Sequence, residues 1–377
     1  MNLTLQKALT FVLFIVIGLL LKLKFKSKEE LTGIKKIILN LALPATIFIA
    51  LIGVKIDSAL LSLPFLALAL NIILYLGFPY LIPLTGIKKT SPEYRTARLL
   101  VPSLAPGLSC FPFVLEFLGE GYLAKAAMAD LGNKVFVLIF LYLIAMNWFY
   151  SQNNVTVNKK GSKLKSLILA MISEPVNIFI VIALILVFFG FNMETLPFFI
   201  SEMMSRLGGI MTPLVLLYIG LAVHIKKKQL FKLLSLLLLR VGFVSILTGL
   251  FILSTNLKAE NDMLLLFVFA MSACSFWPFS HIAIVDGQEK NIAKKHRTFN
   301  AKFAVNILAL SFPISTILIL GVLSCGSHFA NAYIILIFGS AFLLIGLIPV
   351  ILKKIISTRK KSEKQKTEWV VYRTTRT

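Results

Sequence analysis

Charge is scarce in this sequence, and acid is scarcer still. Only 15% of its 377 residues are charged, and 16 Asp and Glu stand against 39 Lys and Arg. So little polar surface cannot cover a soluble globule of this length, which excludes that class. Cysteine is almost absent. Cys110, Cys274 and Cys325 show neither CxxC nor metal-ligand spacing, so a disulfide framework and a cysteine metal centre are excluded, and the three read as small apolar fillers. There is no HExxH, no GxSxG, no G-x-x-x-x-G-K-S/T loop and no acidic pair at helical spacing inside an apolar run. No enzyme constellation stands out, an ATP-driven pump lacks its phosphate cradle, and no cofactor or metal is expected.

Long apolar runs are what the chain has instead. Hydrophobic residues make up 58% of it, and the mean hydropathy is +0.89. Eleven stretches are long enough to cross a bilayer, near 6–23, 33–54, 58–84, 97–118, 123–149, 166–190, 206–225, 230–254, 263–285, 302–323 and 329–352. The first is expected to stay as a span, because the run Ala8–Leu21 has no small-residue cleavage site before the Lys22–Lys28 cluster. Alternate connections hold 32 of the 39 basic residues, whereas the opposite side holds only Lys7, Lys55, Lys125, Arg206 and Lys258. The positive-inside rule then puts the N-terminus outside and the C-terminus in the cytoplasm of a cell bounded by this membrane. The basic runs are not interleaved with aromatics on one face, so nucleic acid is not a partner. Asn154-Val155-Thr156 matches a glycosylation sequon but falls on the inner side.

The fourth stretch, Leu99–Leu118, organises the rest. It carries Pro102, Pro106, Pro112 and Gly107, and each proline deletes an amide donor and crowds a carbonyl, leaving backbone groups that lipid cannot satisfy. Ser109-Cys110-Phe111-Pro112-Phe113 is echoed by Cys274-Ser275-Phe276-Trp277-Pro278-Phe279. Matching broken helices in two halves point to a transporter binding site. Pro44 answers Pro213, Pro112 answers Pro278, and Asn133 answers Asn300 or Asn306; the separations Pro44 to Pro112 and Pro213 to Pro278 are 68 and 65 residues. The expected fold is an all-α polytopic membrane protein of two inverted five-helix repeats, 1–150 and 166–323, with proline-broken crossover helices. A cytoplasmic linker at 151–165 joins them, and an extra span, 324–352, leads to a basic tail, 353–377, suited to anionic headgroups.

Asp130, Asn133 and Lys134 lie inside the fifth span. One reading is an ion pair from i to i+4 that neutralises two costly charges; the other is that Asp130 takes a proton and Lys134 an anionic substrate, with Asn133 orienting either. Both readings stay open. His281, three residues past Pro278, is suited to proton coupling or to a hydrogen bond between helices. Ser109 and Ser275 suit substrate binding or capping of freed backbone. Cys110, Phe111, Pro112, Cys274, Trp277 and Pro278 complete the candidate cavity. A carboxylate there needs fixed donors, expected from free amides that follow Cys110–Pro112 and Phe276–Pro278, and one basic side chain, Lys134, with Arg240 as its rival.

Asn40-Leu41-Ala42-Leu43-Pro44-Ala45, the run Pro213–Gly220 and the two proline-broken spans together resemble the auxin efflux carrier family, over residues 1–323. The resemblance implies two five-helix repeats, a scaffold part and a transport part, and a substrate site where the broken helices cross near the midplane. It also implies bacterial permease activity toward malate and related carboxylates. The eleventh span is additional to the ten-helix pattern, and Trp277 and His281 match no family role. The function expected is a secondary carrier of a small organic anion in the cytoplasmic membrane. A sodium-coupled symporter or antiporter of similar design is one alternative, and a membrane receptor or membrane-embedded enzyme is another. Homodimerisation is left open.

Overall fold

A computed structural model describes residues 3–25, 27–153, 160–222, 230–293 and 295–348, and every regular element among them is helical. The tail 353–377, the Asn154 sequon and Lys226–Lys228 lie outside those residues. In chain order the helices are α1 (Leu3–Leu21), α2 (Lys28–Ile37), α3 (Leu43–Ile52), α4 (Ser58–Gly77), α5 (Pro92–Leu100), α6 (Pro106–Ser109) and α7 (Phe111–Leu118). They continue with α8 (Glu120–Val135), α9 (Leu141–Asn153), α10 (Lys160–Ile172), α11 (Pro175–Phe188), α12 (Phe198–Gly209) and α13 (Met211–Ala222). The last are α14 (Leu230–Thr255), α15 (Glu260–Ala270), α16 (Phe276–Gln288), α17 (Ala301–Cys325) and α18 (Ala332–Ile348). Wide π-helical turns, Ile38–Ala42 and Phe136–Phe140, join α2 to α3 and α8 to α9.

Among the described residues six helices are long and apolar enough to cross a membrane: Glu29–Ile52, Ser58–Tyr80, Glu120–Gln152, Phe198–Ala222, Phe231–Thr255 and Ala301–Phe329. Shorter apolar helices run Gln6–Leu21, Pro175–Phe188 and Ala332–Ile348. The chain is a multi-span membrane protein. Its outer faces carry Phe65, Phe188 and Phe198, each more than 70% exposed, which lipid accepts and water would not.

Polar side chains start the helices where the chain turns. Ser27 and Glu30 form a reciprocal capping box on α2, Asp57 accepts from the Leu60 amide at α4, and Asn300 accepts from the Phe303 amide at α17. Between helices the backbone itself makes close contact. Lipid tails are as apolar as leucine, so helices associate by packing, and small residues permit the closest approach. Gly132 of α8 lies against the Pro64 carbonyl of α4, where a Cβ would collide with backbone, and Gly18 of α1 meets Gly220 of α13 in the same way.

Two of the expected spans are not continuous. Helix α5 ends at Leu100 and α6 begins at Pro106; α15 ends at Ala270 and α16 begins at Phe276. The interruption Val101–Ala105 contains Pro102, a further break at Cys110 parts α6 from α7 just before Phe111-Pro112, and Met271–Ser275 ends three residues before Pro278. Pro106, Pro112 and Pro278 each lie in the first turn of the helix that follows, where an amide has no intrahelical acceptor and its loss costs little. Proline does not by itself break these helices, since Pro64 and Pro313 sit inside α4 and α17.

Candidate functional site

Both interruptions carry backbone that no helix satisfies, and an unpaired buried peptide group costs about as much as a lost hydrogen bond. Each amide in them nevertheless has a partner. Ser103 donates to Leu100 O, Leu104 to Asn133 Oδ1 at 3.2 Å, and Ala105 to Ala273 O at 2.8 Å. In the other segment, Ala273 donates to Ser109 Oγ at 3.0 Å, Cys274 to Ser311 Oγ at 3.3 Å and Ser275 to Ser103 Oγ at 2.9 Å. Val101, Met271 and Ser272 still donate to the helices they leave, and Pro102 has no amide to place. The two interruptions thus bind one another directly.

Their carbonyls are met by two side chains in particular. Asn133 Nδ2 donates to Leu104 O at 3.0 Å, so one side chain amide takes both polar groups of Leu104. Arg240 of α14 donates from Nε to Val101 O at 2.9 Å and from Nη2 to Ser272 O at 2.7 Å and Ser103 O at 3.3 Å. It is fully buried and has no carboxylate partner among the described residues. Arg240 therefore fastens the interruptions together.

A cavity of about 120 Å³ lies beside this crossing. The segment Leu104–Leu108 and Ser275–Trp277 form one wall; Asp130, Asn133 and Lys134 of α8 form another; Lys35, Leu39 and Leu43, with Glu174 and Val176, complete it. Lys134 Nζ lies 2.8 Å from Asn177 Oδ1, 3.2 Å from Glu174 Oε2 and 3.5 Å from Asp130 Oδ2. Asp130 Oδ1 in turn accepts from Asn133 Nδ2 at 2.8 Å, and Asn133 Oδ1 accepts from Asn71 Nδ2 at 3.1 Å. The i to i+4 pair is real, yet it is one edge of a chain of polar groups drawn from α4, α8 and the start of α11. A larger cavity of about 210 Å³ lies near Lys7, Glu260 and Ser327 at helix ends. It touches neither interruption, and Lys7 there is paired with Glu116 at 3.3 Å.

Of the residues singled out in the sequence, Asp130, Asn133, Lys134, Ser275 and Trp277 share the cavity wall. Ser109 sits between the interruptions, donating to Ala105 O while accepting from the Ala273 amide. Cys110 is a buried hinge residue between α6 and α7, and Phe111 and Pro112 open α7 inside the core. Cys274 is engaged through its amide, and Pro278 lies in the first turn of α16. His281 is buried and does not itself line the cavity, but its hydrogen-bond partner Val137 does. Its Nε2 donates to Val137 O at 2.9 Å, a carbonyl in the wide turn between α8 and α9, and its ring meets Tyr142 edge-on at 5.5 Å.

The chain is similar to an uncharacterized transporter of Methanocaldococcus jannaschii. The two are 29% identical over 223 residues, which is 58% of this chain and 68% of that protein. No family model matches the chain.

Four members of the site carry signals that hydropathy counting passes over. Glu174 and Asn177 sit inside the apolar stretch 166–190, where the average conceals them, and Asn71 is likewise inside the third stretch. Lys35 belongs to a basic run, yet it precedes the fully buried Ile38 by three residues, one helical turn on the same face. Its Nζ lies 4.7 Å from the centroid of the Phe276 ring.

Proposed function

We propose that the chain is a secondary transporter that moves a small organic anion, a carboxylate, across the cytoplasmic membrane by alternating access, with its N-terminus outside and its C-terminus in the cytoplasm. The observation that carries this reading is the cavity beside two mutually bonded helix interruptions, with Asp130, Lys134 and Glu174 on its wall inside an apolar bundle. Ionisable groups in such a place are costly to bury and mark substrate or ion pathways. The name of the similar protein supports the transporter class.

Two inverted repeats, 1–150 and 166–323, fit the helix pairings. Helix α1 packs on α13 while α11 packs on α3, and α5 packs on α17 while α15 packs on α8. These are the pairings that an exchange of first and second halves would produce. The auxin efflux carrier pattern fits the same arrangement. Sodium coupling is the second reading: a hard cation needs oxygen ligands, and the carbonyls of Val101, Ser103, Leu104, Ala105, Ser272 and Ala273 each already accept a hydrogen bond, which leaves one lone pair apiece.

Reconstitution into sealed vesicles tests the reading. Labelled carboxylate should accumulate against unlabelled carboxylate inside, with sodium replaced by choline and without ATP. Vesicles that exchange no carboxylate under any gradient would turn the assignment toward a receptor or an enzyme.

A further inference from the structure

We propose that Lys35 is the group that receives the substrate's carboxylate, and that the site selects small monocarboxylates over di- and tricarboxylates. This rests on the transporter reading above and names the substrate class for the same cavity.

An anion entering the cavity must find a positive group whose donors are not already spent. The amides of Val101–Ala105 and Met271–Ser275 are all engaged. Arg240 is engaged by three carbonyls and is not on the cavity wall. Lys134 has three ammonium hydrogens and three acceptors, two of them carboxylates, so its donors are spent, and with both carboxylates ionised the cluster of Lys134, Asp130 and Glu174 has one negative charge in excess. Lys35 is different. Among the described residues its ammonium has no hydrogen bond or ion pair, only the face of Phe276. A ring holds a cation in place without neutralising it.

The cavity wall therefore carries both signs, the ammonium of Lys35 without a carboxylate and the Lys134 cluster with two. A carboxylate placed against Lys35 is attracted there and kept from the Lys134 cluster, where it would meet Asp130 and Glu174. A second carboxylate on the same substrate has to face that cluster, and like charges in a low-dielectric cavity repel strongly. The wall also carries Leu39, Leu43, Leu104 and Leu108. Phe276 is 53% exposed, so the ring and the ammonium above it remain approachable.

The test is binding of 2-oxobutyrate and malate to the purified full chain by calorimetric titration at neutral pH, with the unfolding temperature of each variant measured alongside. The wild type should bind 2-oxobutyrate at least tenfold more tightly than malate. Lys35→Gln should weaken 2-oxobutyrate at least tenfold, and Lys35→Arg should restore most of it. Glu174→Gln removes one of the two opposing carboxylates and should narrow the preference by improving malate; this readout does not depend on the folding of any Lys35 variant. Malate bound more tightly than 2-oxobutyrate by the wild type, or 2-oxobutyrate binding unchanged in a folded Lys35→Gln, overturns the proposal. If such a Lys35→Gln protein still exchanges carboxylate in vesicles at the wild-type rate, the transporter reading survives and the role of Lys35 falls. If the wild type neither binds nor exchanges any carboxylate, the transporter reading fails and takes this one with it.

Discussion

Arg240 and Lys134 are both buried inside the bundle, 1% and 6% exposed, yet they are held by opposite chemistries. Arg240 is surrounded by backbone carbonyls of two chain segments that lie 32 to 139 residues away in sequence. Those acceptors are fixed in place, and a planar guanidinium with a rigid fork of donors can bind several of them at once. Lys134 is surrounded by side chains, two of which can change protonation or swing aside, and one of which, Glu174, keeps a quarter of its side chain open to solvent. The first arrangement joins elements permanently. The second is an arrangement that can be exchanged, and it is the one that borders the cavity. Asn133 stands between them, holding the Leu104 peptide with one hand and Asp130 with the other.

The comparison breaks most easily at Arg240. Arg240→Ala leaves the carbonyls of Val101, Ser103 and Ser272 without donors, and with each unsatisfied buried group costing about 1–3 kcal/mol, a loss of about 3–5 kcal/mol is expected after relaxation. Little folded protein should survive size-exclusion chromatography. Arg240→Lys should fail nearly as badly, because a point-like ammonium cannot span the same acceptors. A monodisperse Arg240→Ala protein with an unshifted unfolding temperature would show that the arginine is not the fastening. Asn133→Ala should come next, at about 2–3 kcal/mol, from the two orphaned groups of Leu104. It should also impair exchange in vesicles, since Asp130 loses a donor; full activity in a destabilised protein would confine Asn133 to the structural side of the comparison. Ser109→Ala is expected to cost about 1–2 kcal/mol, the Ala273 amide being left alone, with little effect on carboxylate binding.

How much of this could be read in advance follows from the range of each interaction. The apolar stretches were legible because a bilayer imposes a length on every span, and the interior pair Asp130 and Lys134 was legible because helical spacing brings i and i+4 together. The exact residues of the interruptions were not. Proline marks where an amide is dispensable, so Pro102 can lie inside Val101–Ala105, while Pro112 and Pro278 sit in the first turns that follow the breaks at Cys110 and Met271–Ser275. What sets the breaks is long-range pairing, as in the bond from Ser275 to Ser103, which joins residues 172 apart. Within Val101–Ala105 and Met271–Ser275 the amides of Leu104, Ala273, Cys274 and Ser275 go to side chains, Asn133 and three serines, that are remote in sequence. Lys35 and Glu174 were overlooked because one hides in a basic run and the other in an apolar average.

The smallest effect separates the two carboxylates that share Lys134. By distance alone Glu174, at 3.2 Å, should matter slightly more than Asp130, at 3.5 Å. Burial points the other way: the Asp130 side chain is 9% exposed and that of Glu174 is 24%. The difference in separation changes a Coulomb energy by only about a tenth, whereas the effective dielectric changes severalfold between a protein surface and its interior, so burial should decide. Asp130→Asn is therefore expected to lower stability by about 1–2 kcal/mol, since it also disturbs the bond from Asn133. Glu174→Gln should cost less than about 1 kcal/mol once solvent screening is allowed for. Thermal unfolding of the two variants at one pH, with Lys134→Gln added to complete double-mutant cycles, measures both couplings directly. If the coupling of Lys134 to Glu174 equals or exceeds its coupling to Asp130, Glu174 is as fixed a ligand as the carbonyls around Arg240, and the Lys134 cluster is a second structural fastening and not an exchangeable wall of the cavity.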